Sequence, residues 1–457
     1  MTLCFWPHFL LPADCFASCL KRPVESLEPN ENALLREAVF ETTVFKPSLP
    51  SCNLSTTSIE SFHRKSHTYL YIYIMVQGDI KTRFLIISDT HGASLFDEAD
   101  SVRNYDSDDS LGSQRPDQTV INGFRRPLPK ADVAIHCGDL TYDSLLKEYE
   151  ATFNLMHEID APLKLVIAGN HDVTLDAPYW ERKISWLDDY AQAERAQYPA
   201  RTYELVERAR QAGIHLLDEG TYHFVLPSNG ARLTVFASPW TPDYGSWAFQ
   251  YRGPHDFAIP NGVDLAMTHG PPRNVLDRTL FGARAGCRHL LDAVSRARPR
   301  MHCFGHIHEG WGAKLVTWKP KVDGFRPPPA APAALLALPQ RLAPPGAEQQ
   351  APDEVLGLDA LDVHAADPAT RAANLERANR YARERCVSVS LCAGDAKTLE
   401  QGRHTLFVNA AIMNIGYKPY QLPWLVDLEL PPPDEEHLRK AEATTAILQR
   451  DRRLNVS

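Results

Sequence analysis

The chain has 457 residues, 23% of them charged, and a formal net charge of -9. That length holds two or three domains, or one α/β domain with additions. The acidity, with no basic stripe along any predicted helix, argues against a nucleic-acid scaffold and a polyanionic partner, so no duplex binding is expected. Nine cysteines lie scattered without paired metal-ligand spacing, which points to a reducing compartment and a cytoplasmic location.

Leu3 to Leu20 is apolar, but Asp14 and two prolines interrupt it, and Lys21 and Arg22 follow rather than precede it. A secretory signal has the reverse order. Tyr69 to Val76 is apolar over only eight residues, against the ~20 needed to span a bilayer, so no membrane association is expected. Residues 1–80 lack periodicity and are read as a disordered extension, or alternatively as a gene-model artefact with Met75 as the start.

Phe84 to Ser88 is the first predicted strand, and it ends in Asp89-Thr90-His91-Gly92. An Asp and a His two apart on an extended segment point to one side, as two ligands of one cation must. Leu95 to about Lys130 is polar, rich in Asp and Ser, and reads as a surface loop. Val133 to Cys137 is a second strand, ending in Gly138-Asp139-Leu140-Thr141. Tyr142 to Ile159 carries Leu145, Leu146, Tyr149, Phe153 and Met156 at amphipathic-helix spacing. Leu163 to Ala168 is a third strand and ends in Gly169-Asn170-His171-Asp172. Strand, helix, strand in this order is the right-handed βαβ unit of a parallel sheet, and ligands gather beyond the carboxyl ends of such strands.

Tyr203 to Ala212 is predicted helical with Gly213 as its cap, and short strands follow at Thr221 to Leu226 and Leu233 to Ala237. Ser238-Pro239-Trp240 and Gly245 to Phe249 are aromatic loops, and lining a pocket or packing under a sheet would look the same in sequence. Val263 to Thr268 delivers His269-Gly270-Pro271-Pro272, Cys287 to Arg298 is a helix, and Met301 to Phe304 delivers Gly305-His306-Ile307-His308. Residues 319–403, dominated at first by Pro and Ala, read as a largely flexible insertion with an isolated helix at Thr370 to Cys386. Strands return at Thr405 to Ala410 and Trp424 to Leu428. The globular domain is therefore 81–318 plus 404–430, and 431–457 is a charged tail.

Five strand ends thus carry Asp89 with His91, Asp139, Asn170 with His171, His269, and His306 with His308. One such ending is a turn, whereas five converging make a site. Carboxylate, imidazole and amide donors without cysteine suit borderline to hard divalent ions such as Mn, Fe, Zn or Co. So many ligands exceed what one tetrahedral ion takes, and two ions sharing Asp139 are the simplest arrangement. Two ions held ~3.5–4 Å apart clamp a phosphoryl group and lower the pKa of a bridging water, making hydroxide available near neutral pH. His171, left outside the ligand set, can donate a proton to the departing oxygen or stabilise charge on the equatorial oxygens.

Asp89-Thr90-His91, Gly138-Asp139, Gly169-Asn170-His171-Asp172, His269 and Gly305-His306-Ile307-His308, in this order, resemble the motif series of the calcineurin-like metallophosphoesterases. The resemblance covers Arg83 to Trp311 and resumes at Thr405 to Ala410. It implies a four-layer α/β/β/α metallophosphoesterase sandwich holding two divalent metal ions, Mn, Fe or Zn. One ion is expected on Asp89, His91, Asp139 and His308, the other on Asp139, Asn170, His269 and His306, with His171 as proton donor. The implied reaction is hydrolysis of a small phosphorylated substrate, a diester or a monoester, by attack of a metal-bound hydroxide.

Thr268 to Pro272 resembles the subgroup of small metallophosphoesterase-domain proteins associated with cyclic-nucleotide diesters. Protein Ser/Thr phosphatases of the superfamily carry an Asp-Arg pair after the metal-binding Asp; Asp139 to Ser144 contains no Arg, which disfavours that class. The competing expectation is a non-catalytic or weakly catalytic metal- or nucleotide-binding scaffold on the same fold, and the intact ligand set with His171 favours the enzyme. Arg252, His255 and Arg273 are candidates to touch substrate, each with a plain surface role as the simpler reading. Asp172 is read as a carboxylate that orients the site or caps a helix.

Overall fold

Side chains alternate between the two faces of a strand, and here both faces of the central strands are apolar. Such strands need cover on both sides. The computed structural model, which describes residues 78–97, 102–104, 119–319, 353–357 and 367–449, shows how the cover is supplied.

One sheet contains β1 (Ile80–Ile87), β2 (Val133–His136), β3 (Leu163–Val166) and β4 (Ile214–Leu216), all parallel, with the register Ile86↔Ile135↔Leu165↔His215. The other contains β5 (Gly220–Val225), β6 (Arg232–Ser238), β7 (Leu265–Thr268), β8 (Met301–Phe304), β9 (Gly312–Thr317) and β10 (Asp353–Gly357). Later in the chain, β11 (Val387–Ser390) and β13 (Trp424–Leu430) join the first sheet, and β12 (His404–Asn409) joins the second. The strand orders are β11-β13-β1-β2-β3-β4 and β10-β9-β12-β8-β7-β6-β5.

Phe84 and Ile86 of β1, with Ile135 and Leu165, share one core with Val235, Met267, Cys303 and Val408 of the second sheet. Leu85 and Ile87 point the other way, into a core with Tyr149, Phe153 and Met156 of α1 (Leu146–Glu158). The excursion after β3 comprises α2 (Ala177–Ile184), α3 (Asp189–Arg195) and α4 (Tyr198–Gln211), and Leu205 and Val206 of α4 complete that layer. On the outer face of the second sheet, Phe236, Phe304 and Phe407 pack on Leu290, Ala293 and Val294 of α5 (Arg288–Ala297). The protein is thus mixed α/β with two multi-strand sheets, and these cores stack as α/β/β/α. Each large apolar side chain so buried contributes roughly 1.5–3 kcal/mol. Disulfides add nothing among the described residues, where Cys137, Cys287, Cys303, Cys386 and Cys392 are free and buried.

Three stretches differ from their sequence reading. Of the insertion assigned to 319–403, residues 320–352 and 358–366 lie outside the described residues, but much of the remainder is folded. β10 pairs antiparallel with β9, α6 (Pro368–Glu384) starts at an Asp367 side chain that accepts Thr370 N–H, and β11 forms a parallel edge against β13. The Val-Ser-Val-Ser of β11 is too short and polar to announce a strand; its ladder to Val426 and its neighbours makes it one.

The tail assigned to 431–457 contains α7 (Glu435–Leu448), capped by Asp434. Charge on its exposed face masks a buried one, where His437 Nε2 pairs with Phe224 O at 2.9 Å and Thr444 Oγ1 accepts His223 N–H at 3.0 Å. The stretch read as a surface loop at Leu95 to Lys130 ends in a buried segment, with Phe124 and Leu128 in the α1 core; residues 98–101 and 105–118 lie outside the described residues. Met1 to Gln77 also lie outside them. No helix among the described residues is long and apolar enough to cross a membrane.

Candidate metal centre

The loops beyond β1, β2 and β8 are bent in a way side chains resist. Asp89, His91, Asp139 and His306 have φ of 52°, 46°, 53° and 67°, a region costly for residues other than glycine and kept only where the surroundings hold it. Here they do. Asp89 N–H donates to Gly138 O at 2.9 Å, His91 N–H to Asp139 O at 3.1 Å, and His306 N–H to both oxygens of the Asp89 carboxylate at 2.9 and 3.0 Å. Gly169 and Gly305 let these loops touch: a Cβ on Gly169 would overlap Asp139, and one on Gly305 would overlap Asp89 and Ser88.

Asp172 turns out to be the clasp between the β2 and β3 loops. Its carboxylate accepts Gly169 N–H (2.7 Å), Leu140 N–H (3.1 Å), Thr141 N–H (3.0 Å) and the Thr141 hydroxyl (2.7 Å). Of its two sequence readings, orientation therefore fits; the short turn at Val173–Leu175 receives no side-chain cap from it. Complete burial, with Asp139 nearby, raises its pKa to about 7.

Four imidazoles are turned the same way. Each places Nδ1 at a backbone carbonyl: His91 at Thr141 O (3.0 Å), His171 at Tyr142 O (2.8 Å), His269 at Cys137 O (2.9 Å) and His308 at Asn414 O (3.2 Å). A carbonyl only accepts, so Nδ1 carries the proton and Nε2 is left as the ligating atom. This is the usual arrangement of metal-binding histidines. By contrast, His136 and His302 lie within strands, not beyond them; they bond Thr90 and Thr268 at 2.8 Å each, and burial lowers both pKa values to about 3.

The Nε2 atoms converge on the carboxylates. His91 Nε2 is 3.4 Å from His308 Nε2 and 3.8 Å from Asp139, His308 Nε2 is 3.6 Å from Asp89, and His269 Nε2 is 3.3 Å from Asp139 and 3.0 Å from Asn170 Oδ1. Neutral rings with protonated Nδ1 would aim lone pairs at lone pairs. Positive charge must sit among them, and the donor set fits a divalent cation. Without one, protons serve. Burial opposes charge on His269, yet Asp139 and Asp89 raise its pKa to about 9, while burial, with His171 and His308 beside it, outweighs the same carboxylates and brings His91 down to about 4. Asp89 is held ionised in the same way, its burial outweighed by His308 and His269, with a pKa near about 2.

Among the described residues, three overlapping groups of side chains are each able to hold an ion: Asp89, His91 and His308; His91, Asp139 and His171; and Asp139, His269 and His306. Ligand atoms within each group lie within 4.8 Å of one another. All eight residues singled out from the sequence are therefore brought together, Asn170 through His269. The middle group also puts His171, held apart as a non-ligand, within ligand range.

Sequence reasoning missed the surround. Trp247 lies 4.2 Å from the His171 ring, centroid to centroid, and Ala248 N–H donates to Asn170 O at 3.2 Å, so one aromatic loop does line the centre. Tyr142 and Tyr417 lie 5.8 and 5.1 Å from the His91 ring. Gln421 Nε2 donates to His308 O at 3.0 Å. Only the aromatic composition around Trp247 hinted at any of these. Of the three candidate substrate contacts, Arg252 pairs with Asp243 (2.8 Å) and His255 with Glu219 (2.8 Å), while Arg273 donates its backbone N–H to Cys287 O (2.9 Å).

The histidine and aspartate clusters able to hold metal thus stand at the strand ends of a two-sheet α/β protein. The calcineurin-like phosphoesterase family model matches residues 82–310, half of the chain, and the chain belongs to that family. It is 35% identical over 192 residues to human metallophosphoesterase domain-containing protein 1, covering 40% of this chain and 56% of that protein. A UPF0046 protein of Caenorhabditis elegans is 32% identical over 194 residues, covering 40% of this chain and 48% of its own. A probable rhamnogalacturonate lyase C of Emericella nidulans is 35% identical over 196 residues, 42% of this chain but 16% of that protein. The chain spans about half the length or less of these relatives.

Proposed function

We propose that this protein is a dinuclear metal-dependent phosphoesterase that hydrolyses a small phosphodiester or phosphomonoester. The observation that carries the reading is the convergence of carbonyl-anchored imidazoles on two buried carboxylates, a donor set that calls for divalent cations. Asp89, His91, Asp139 and His308 would hold one ion, and Asp139, Asn170, His269 and His306 the other. Bound there, the ions supply Lewis-acid activation of water and neutralise charge on phosphoryl oxygens.

The chain's own contribution is orientation and proton transfer. Asp172 keeps the Asp139 and Asn170 loops together, and His306 N–H braces the Asp89 carboxylate. His171, with Nδ1 committed to Tyr142 O, directs Nε2 at the centre, where a protonated ring can deliver its proton to the departing oxygen. Trp247 covers one side of that ring and shelters it from water.

The test is turnover by the Mn-loaded protein of bis(p-nitrophenyl) phosphate, p-nitrophenyl phosphate and cyclic nucleotides, with metal content measured on the same sample. Hydrolysis of at least one ester that stops on chelation is expected. Two bound ions with no turnover of any ester would overturn the enzymatic reading in favour of a binding scaffold.

A further inference from the structure

Beyond the ligands, an aromatic corner stands over one half of the centre. Tyr417 lies 5.1 Å from both His91 and His308, edge to face, and 5.2 Å from Tyr142 at an interplanar angle of 87°. Tyr142 in turn lies 5.6 Å from His171. Each tyrosine is 44% exposed while its ring meets a buried imidazole, so both reach from the centre to solvent.

Tyr417 is held there at a cost. Its φ of 54° is a genuine outlier for a bulky residue, and the turn carrying it is built by Asn414. The Asn414 side chain accepts Gly416 N–H and Lys418 N–H at 2.9 Å each, its N–H donates to Lys418 O at 2.9 Å, and its carbonyl accepts Tyr417 N–H at 3.0 Å. The same carbonyl anchors His308 Nδ1. One residue thus sets both an imidazole of the centre and the ring above it.

Two uncharged rings meeting at a right angle offer a face and an edge to a flat group, the geometries in which aromatic contacts are favourable. They offer no cation to a second anionic group. We infer that Tyr417, with Tyr142, is a specificity-determining element that seats a planar aromatic substituent of the phosphoryl ligand. This rests on the phosphoesterase reading above for its biological meaning, but it makes a separate claim about which ligands bind.

The experiment is calorimetric binding of phenylphosphonate and methylphosphonate to the Mn-loaded full chain, which needs no turnover. The wild-type protein is expected to bind the phenyl compound more tightly. Tyr417→Ala should shrink that preference by roughly 2- to 12-fold, the value of one aromatic contact, and Tyr417→Phe should retain it. Metal content and the circular dichroism spectrum of each variant show whether the centre is intact; if Tyr417→Ala fails to fold, Tyr142→Ala takes its place with the same expectation. An unchanged phenyl preference, or equal loss of both ligands, would overturn the inference. Retained preference in the wild type and its loss in the variant, without turnover of any ester, would overturn only the enzymatic reading.

Discussion

Asp139 and His171 sit side by side at the centre, and their substitution should have different consequences. Asp139 touches both ends of the ligand chain, 3.8 Å from His91 and 3.3 Å from His269. Asp139→Asn and His308→Ala should therefore lower metal content and ester hydrolysis together. His171→Ala should keep both metals and slow hydrolysis of esters with poor leaving groups by ~10²–10⁴-fold, the range for a lost general acid. Loss of a metal from that variant would make His171 a ligand, as its place in the middle group permits.

The protons that stand in for cations make a second prediction. His269 is raised from 6.5 to about 9, so in metal-free protein its stabilisation is complete below pH 6.5 and is lost as pH rises through 9. Asp172, raised from 3.8 to about 7, has the same sign at lower pH. On the acid side His136 and His302, lowered from 6.5 to about 3, contribute stability that is lost as pH falls below 6.5. Chelated protein should thus show a falling melting temperature from pH 6.5 to 9, and adding Mn should release protons into a weak buffer. A melting temperature that rises across that window would contradict the assignment.

The elements that matter to the site are its strand-end loops, and glycine decides how closely they approach. Gly305→Ala would drive a methyl group into Asp89 and Ser88. Overpacking of this kind costs about 1–3 kcal/mol, and here the shift also separates His306 N–H from the Asp89 carboxylate. Lower thermal stability and weaker metal binding should appear together, in melts and metal titration. These loops were the most legible feature of the chain: an apolar run announces a strand, and Asp, Asn, His or Gly just past it announces a turn carrying ligands. The Tyr198–Gln211 helix was read only from Tyr203 onward; its first turn carries Pro199, a residue that fits the start of a helix.

Across the whole molecule, the edges far from the centre carry stability rather than chemistry. A chain ended after Leu430 loses α7, leaving His223 N–H and Phe224 O on β5 without their partners. Water reaches the edge that α7 vacates, so each lost hydrogen bond costs ~0.5–1.5 kcal/mol net; the melting temperature should fall while metal content holds, because β5 lies two strands away from β7, the nearest strand with a ligand-bearing loop. Equal metal loss would show that α7 supports the centre as well.

Fold class and the clustering of the eight candidate residues could be read directly because strands, turns and the polar residues at their ends are encoded within a few consecutive residues. The tautomers, the Asp172 clasp, the aromatic corner and the roles of β11 and α7 could not. Each depends on partners far apart in the chain, as when Asn414 meets His308 across 106 positions. Which distant segment meets which is set by strand order in the two sheets, and strand order follows from how all the apolar faces are buried at once.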